Sequence, residues 1–406
     1  LITAGGIKVG IVGVMTSGAL RATLPLNVIG LRMAPLADTV RAQAVALRAQ
    51  GAQVVVVAAH AGGGCDSFAD PHDLSTCDPN AEIFDLARDL PQGLVDAIVA
   101  GHTHAGLAHT VAGIPIVQSF WGGRAFGRID LVVDRASGRV LNGTPFAPQD
   151  ICATRRVGGA GACALDASSA DGASVWYEGQ PVAPDTAIVR AMEPALARVR
   201  ELQATPLGVI LDTPLPRTGD PESPLGNLFA DALREAGGAD IALNNNSLGG
   251  LRADLPGGPL TFGQLYDTFP FDNRLVRVRL NADVLEQGIA NALRRGRRGA
   301  FGISGARVRV SCTSDGLQVR LFLPSGQPIA ATESLTVVGM DSLLGGQLFA
   351  PVIPPGSLRP APDAPIVREV VEDWLRDRGG HLRADEFLAA DSRRLELDGA
   401  VPCLTQ

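Results

Sequence analysis

The chain has 406 residues, a formal net charge of −7, and is 46% hydrophobic and 19% charged. The apolar fraction excludes a disordered chain, the acidic balance argues against a sequence-blind nucleic-acid binder, and the length suffices for two domains that each bury a core. No apolar run reaches the ~18–20 residues of a membrane-spanning helix.

The predicted elements alternate through the first third. Lys8–Met15 reads as a buried strand. A strand so close to Leu1 is expected of a protein whose N-terminal portion is missing, and any signal peptide would lie in that portion. Leu36–Gln50 carries Leu36, Val40, Ala44 and Leu47 on one helical face and stops at Gly51. Val54–Ala59 is a fully apolar strand, Ala81–Leu90 a short helix and Val95–Ala100 another strand. Ile114–Ser119 and Arg128–Val133 complete an α/β pattern with a mostly buried sheet. Residues 136–185 lose this periodicity and read as a connection. Asp185–Gln203 is a helix capped by Asp185. A second α/β unit follows, with a helix after Pro224, strands at Ile241–Leu243, Leu275–Leu280 and Leu335–Gly339, and a last helix between Pro365 and Gly379. The expected division is a sheet domain at 1–150, a connection with a linker helix at 151–204 and a second domain at 205–406.

The sequence has six cysteines. Cys65 and Cys77 bracket an Asp-rich stretch, and Cys152 and Cys163 an Arg/Gly-rich one. Both look like exposed loops, where short disulfides are favoured over free thiols. Of about 15 possible pairings, Cys65–Cys77, Cys152–Cys163 and Cys312–Cys403 are favoured. A periplasmic or secreted location follows.

The chemistry concentrates in histidines. His60, His102 and His104 each follow a strand, and ligands of open parallel sheets gather at the strands' carboxyl ends. Imidazole is a common ligand for Zn, Mn or Fe ions. His72 and His109 read as ordinary surface histidines.

VVVVAAHAGG and DAIVAGHTHAG resemble the second half of a calcineurin-like metallophosphoesterase domain, with His60 as its lone histidine ligand and His102 and His104 as its GH-x-H pair. The resemblance implies two divalent metal ions (Zn, Mn or similar), His60 and His102 on one and His104 on the other. That family's D-x-H, G-D and G-N-H-[ED] motifs are absent here and would precede Leu1. They hold the remaining ligands and the catalytic histidine, so the chain as given would carry about half of a dinuclear site and be inactive alone.

LGNLFADA, LGGLRADL and PLTFGQLYDTFPFDNRLVRV resemble the C-terminal domain of 5′-nucleotidases of the periplasmic nucleotidase and UDP-sugar hydrolase type. Arg252 after Gly249 and Gly250 offers a forked donor. Phe271 offers a face for a base and Asn273 an edge-reading amide. The resemblance makes these the substrate-binding residues and adds Asn246 and Arg217. It implies that rotation about the helix at 185–203 carries substrate to the metals. The family's N-D-F-x-x-x-GGDG stretch is altered to GMDSLLGGQLF. Asp341 or Ser342 takes the place of the second stacking aromatic and Gln347 that of the acid, leaving Phe349 as a possible substitute ring. The arginines at 294–298 read as a solvated helix end.

The expectation is an exported, metal-dependent phosphoester hydrolase acting on a small-molecule nucleotide or related compound. It has no nucleic-acid partner, and the sequence does not specify its oligomeric state. Two alternatives stay open: a catalytically silent small-ligand binder, and a sulfur-compound or cyclic-phosphate hydrolase on the same scaffold.

Overall fold

The computed structural model describes residues 1–406 except 24, 29, 152–153, 156–172, 175, 219–221, 247–249, 295–300, 315, 347–348, 350–351, 354–357, 359–360, 362, 390–392, 398–402 and 404–406. The chain forms two compact units, Leu1–Leu20 with Gly30–Ala191 and Arg21–Ile29 with Met192–Gln406.

In the first unit β1 (Ile2–Ala4) and β2 (Ile7–Met15) form a hairpin. Gly5 and Gly6 take left-handed φ of 55° and 82°, as a tight hairpin turn requires. β2 then runs parallel to β3 (Val54–His60), β3 to β4 (Ala97–Val99), and β4 to β6 (Ile114–Ser119). β5 (Gly106–Val111) closes the edge antiparallel to β6, giving the order β1-β2-β3-β4-β6-β5. One face packs on the helices Leu36–Ala49 and Glu82–Asp89, with Val12, Val55, Val57, Val40, Ala44 and Ile83 in its core. The β2–β4 strands of a parallel sheet are ordinarily covered on both sides. Here the opposite face leaves Ile11 49%, Met15 50% and Val99 49% exposed.

Two expectations need correction. β5 was not foreseen. The stretch after Arg128–Val133 is also not wholly a connection, because β8 (Val140–Asp150) pairs with β7 (Ala125–Val133) as a long hairpin. The composition of β8, rich in Asn, Gly, Thr and Pro, hides a strand defined by its partner rather than by its own periodicity. The linker helix forms as Thr186–Gln203, and Asp185 Oδ1 accepts from the Ala187 and Ile188 amides. The Cys65–Cys77 and Cys312–Cys403 disulfides are present. Cys152 and Cys163 lie outside the described residues.

Among the described residues the second unit has three small sheets. Leu275–Asn281, Ser334–Met340, Ile241–Asn245 and Phe301–Ser304 form the four-stranded one, in that order. Gly258–Thr261 and Gly380–Leu382 flank Pro206–Leu211, and Gly316–Phe322 and Leu395–Leu397 flank Arg307–Thr313. The helix Pro224–Gly237 is held by a Ser223 cap, Pro224 in its first turn and left-handed Gly238 behind it. It buries Leu225, Leu228, Phe229 and Leu233 in the common core.

Candidate functional site

Register places the first constellation. Met15 of β2 is opposite His60 of β3, and the Thr16 amide donates to the His60 carbonyl at 2.8 Å. His60 therefore leaves the sheet at a fixed point, on the side chain row of the bare face. His102 and His104 lie on the loop after β4, both with left-handed φ, 81° and 58°. Such strain in non-glycine residues persists only where the surroundings impose it. His102 Nδ1 is 3.2 Å from His60 Nε2, and the rings are 4.8 Å apart. His104 is turned elsewhere, stacked on Trp121 at 5.7 Å and 20°.

The imposing structure is a polar clamp that sequence reasoning missed. Gln118, 2% exposed on β6, donates from Nε2 to Gly63 O at 3.1 Å, Thr103 Oγ1 at 2.7 Å and Ala105 O at 2.8 Å. Thr103 Oγ1 in turn donates to Gly63 O. These bonds fasten the loop after His60 to the loop holding His102 and His104. The approach is so close that a Cβ on Gly62 would lie 2.1 Å from Gly101 O, so only glycine fits there. A lone polar residue in the apolar run IPIVQ was the available signal for Gln118.

Glu82 was missed as well. Its carboxylate accepts from Thr16 Oγ1 at 2.7 Å and from the Ser17 amide at 2.8 Å. Burial pushes this carboxyl up, but the Ser17 and Thr16 bonds and the nearby charge of His102 outweigh it and hold the group below its ordinary value. An anionic carboxylate thus braces the end of β2 beside the histidine pair.

The pair suits a cation. Two nitrogens bound to one tetrahedral Zn at ~2.0–2.1 Å would be about 3.3 Å apart, close to the 3.2 Å between His60 and His102. The three histidines do not bring their nitrogens within one 4.8 Å group. Among the described residues the group that does so is Cys65, Cys77 and His109. Its sulfurs are joined in a disulfide and offer no thiolates. His109 corrects its reading as a surface residue. It is 0% exposed inside β5, burial pushes its pKa down against the charges of Asp73 and Asp70, and its Nε2 has no hydrogen-bond partner among the described residues. His72 is exposed, as read.

The second constellation lies on the other unit. Thr261 and Gln264 form a capping box that starts the helix Phe262–Thr268. Thr268 O accepts the Arg252 amide at 2.8 Å, and the Arg252 guanidinium sits 5.3 Å over the Phe271 ring. Phe271 is half-buried rather than fully exposed, with its edge on Phe269 at 5.6 Å. Asn273 Nδ2 donates to Asp341 Oδ1 at 2.7 Å, so its amide already has one partner. Asn246 is buried, accepts from Asn244 at 3.1 Å and donates to Ser223 Oγ at 3.4 Å. Gly250 packs where a Cβ would strike Asn245 O. Gly249 and Gln347 lie outside the described residues. The Arg217 amide donates to Asp254 at 2.9 Å. Phe349 cannot supply the second ring: it is 0% exposed, packed against Phe301 and Gly288.

A sheet domain with histidines at its strand ends is thus followed by a mixed α/β domain carrying GG-x-R and PF-x-N, and comparison with known proteins places the second of these most firmly. Residues 203–352 match the family described as 5′-nucleotidase, C-terminal domain. It is 27% identical over 295 residues to endonuclease YhcR of Bacillus subtilis, covering 72% of this chain and 21% of YhcR. It is 27% identical over 313 residues to cell wall protein Lmo0130 of Listeria monocytogenes, covering 69% of this chain and 35% of that one. The structure of a 5′-nucleotidase precursor from Thermus thermophilus has the same fold, with a TM-score of 0.59 and 21% identity over 98% of this chain and 74% of that one. The chain spans about a fifth to a third of the length of the two curated relatives. Among the described residues no helix is long and apolar enough to cross a membrane.

Proposed function

We propose that this chain is part of an exported, divalent-metal-dependent hydrolase that releases phosphate from nucleotides or related phosphoesters. The observation that carries this reading is the His60–His102 nitrogen pair, 3.2 Å apart at the ends of adjacent parallel strands. On this reading His60 and His102 hold one cation and His104 a second. Such a pair of ions polarises phosphoryl oxygens and makes water a competent nucleophile near neutral pH. The residues of this chain set the geometry: Gln118 and Thr103 fix the two loops, and Glu82 braces the end of β2. The bare sheet face beside His60 supports a further segment that packs there and supplies the missing ligands. Arg252, Phe271 and Asn273 grip the organic part of the substrate.

The experiment is phosphate release from a nucleotide panel by the full-length gene product with Mn or Zn. Release that stops with chelator and with His102→Ala supports the reading. Release indifferent to both contradicts it. One observation favours the silent binder instead: His104 stands apart from the other two histidines. Tight nucleotide binding with no release from any phosphoester would decide for it.

A further inference from the structure

Among the described residues, five that are not glycine have left-handed φ, and three of them, His102, His104 and Phe120 at 54°, belong to one lip of the first unit. The Phe120 amide donates to Ala105 O at 3.0 Å, which ties the loop after β6 to the histidine loop. The turn at Phe120 delivers Trp121 onto the His104 imidazole while leaving it 50% exposed. Gly122 and Gly123, both left-handed at 70° and 68°, then bring the chain back. Arg124 returns over the same rings, its guanidinium 5.2 Å from Trp121 and 5.5 Å from Phe120. Arg124 is exposed, and among the described residues its guanidinium pairs with no carboxylate.

A guanidinium stacked on aromatic rings spends its faces on them and keeps its in-plane N–H donors. Those donors form a fork matched to two oxygens of one oxyanion. Arg41, Arg48, Arg88 and Arg128 of the same unit each find a carboxylate. This one is held on a strained, aromatic shelf beside a proposed metal ligand and left free. We infer that Arg124 is the oxyanion-binding residue of the strand-end site, that its ligand is a phosphate ester or inorganic phosphate, and that Trp121 is the positioning residue that holds Arg124 and His104 in register. The inference rests on the proposed function only in taking the strand-end histidines as the reacting side of the molecule. It assigns a phosphate contact to residues outside the resembling motifs.

The test uses the metal-free chain, so that anion and metal binding are read separately. Inorganic phosphate, AMP and sulfate are titrated against it by calorimetry and by tryptophan fluorescence, in the Phe271→Ala background to silence the other pocket. Phosphate and AMP are expected to bind and to change fluorescence, and the fluorescence change should vanish in Trp121→Phe. Arg124→Gln should weaken both ligands about tenfold or more, and Arg124→Lys, which keeps the charge but not the fork, should recover only part of that. Sulfate binding as tightly as phosphate would overturn the assignment to phosphate. Unchanged affinity in Arg124→Gln, or no phosphate binding at all, would overturn the site itself. A parallel Zn titration separates the two ideas. Arg124-dependent phosphate binding without any Zn binding would leave this inference standing and sink the proposed function.

Discussion

Replacing Gln118 by leucine removes the clamp without changing the volume of the strand much. The cost can be worked from the hydrogen bonds. Gly63 O would keep Thr103 as a donor, and Ala105 O would keep the Phe120 amide. No carbonyl is orphaned, so each lost bond is worth only about 1 kcal/mol. Gln118 Oε1 is itself buried without a partner among the described residues, and its removal returns part of that penalty. The net loss should be about 1–2 kcal/mol, felt locally because the chain has two units. Amide hydrogen exchange at residues 101–105 should therefore quicken about 5–30-fold. The functional effect should be larger than the structural one, since outer-shell partners of metal-binding histidines typically matter 10–100-fold in affinity. Zn titration of Gln118→Leu should show a loss of about that size in a chain whose circular dichroism is unchanged. Exchange quickened with Zn affinity within about twofold of the parent would refute the idea that the clamp positions the histidines.

Other perturbations have equally definite outcomes. Replacing Cys65 and Cys77 together by serine opens a loop of sequence separation 12 and should cost ~3 kcal/mol by loop entropy, read as a lower unfolding midpoint of the first unit. A change under ~1 kcal/mol would refute that estimate. Phe271→Ala should weaken nucleotide binding about tenfold or more, base stacking being worth roughly 1–3 kcal/mol; equal calorimetric affinity would remove Phe271 from the pocket. Burial pushes the Glu286 carboxyl above its ordinary value, against the Leu321 amide bond and the charge of Arg320. Stability from a raised carboxyl is complete at low pH and is lost as pH rises through the folded-state value. Glu286→Gln keeps an acceptor for Leu321, so it should gain on the parent chain in urea unfolding as pH rises past about 4.5. A difference that does not change with pH would contradict the assignment.

The legible parts of the molecule were those whose signal is local. Val54–His60 announces itself by an unbroken apolar run ending in histidine, and parallel register with its neighbours then fixes where His60 emerges. The helix Pro224–Gly237 has its cap, its proline and its glycine written in order. The misreadings share a different cause. β8 has no pattern of its own and exists because β7 is beside it. His109 reads as a surface histidine because its strand, β5, goes unrecognised in the sequence. The candidate site is legible in its histidines and illegible in the residues that hold them. His60, His102 and His104 could be named from strand ends, but Gln118 reaches Gly63 across 55 residues and Glu82 reaches Thr16 across 66. The same holds in the second unit, where Asn273 reads as an edge-reading amide and Asp341, 68 residues on, already accepts from it. Phe349 was open as a replacement ring because a sequence cannot show that Gly288 makes room for it in the core.

The most direct measurement is Zn or Mn titration of the chain by calorimetry, with His60→Ala, His102→Ala and His104→Ala alongside. The account predicts a cation held by the parent chain, binding lost in the His60 and His102 variants, and a smaller effect from His104, whose ring lies on Trp121. Cation binding untouched by His60→Ala and His102→Ala, or no binding at all, would contradict it.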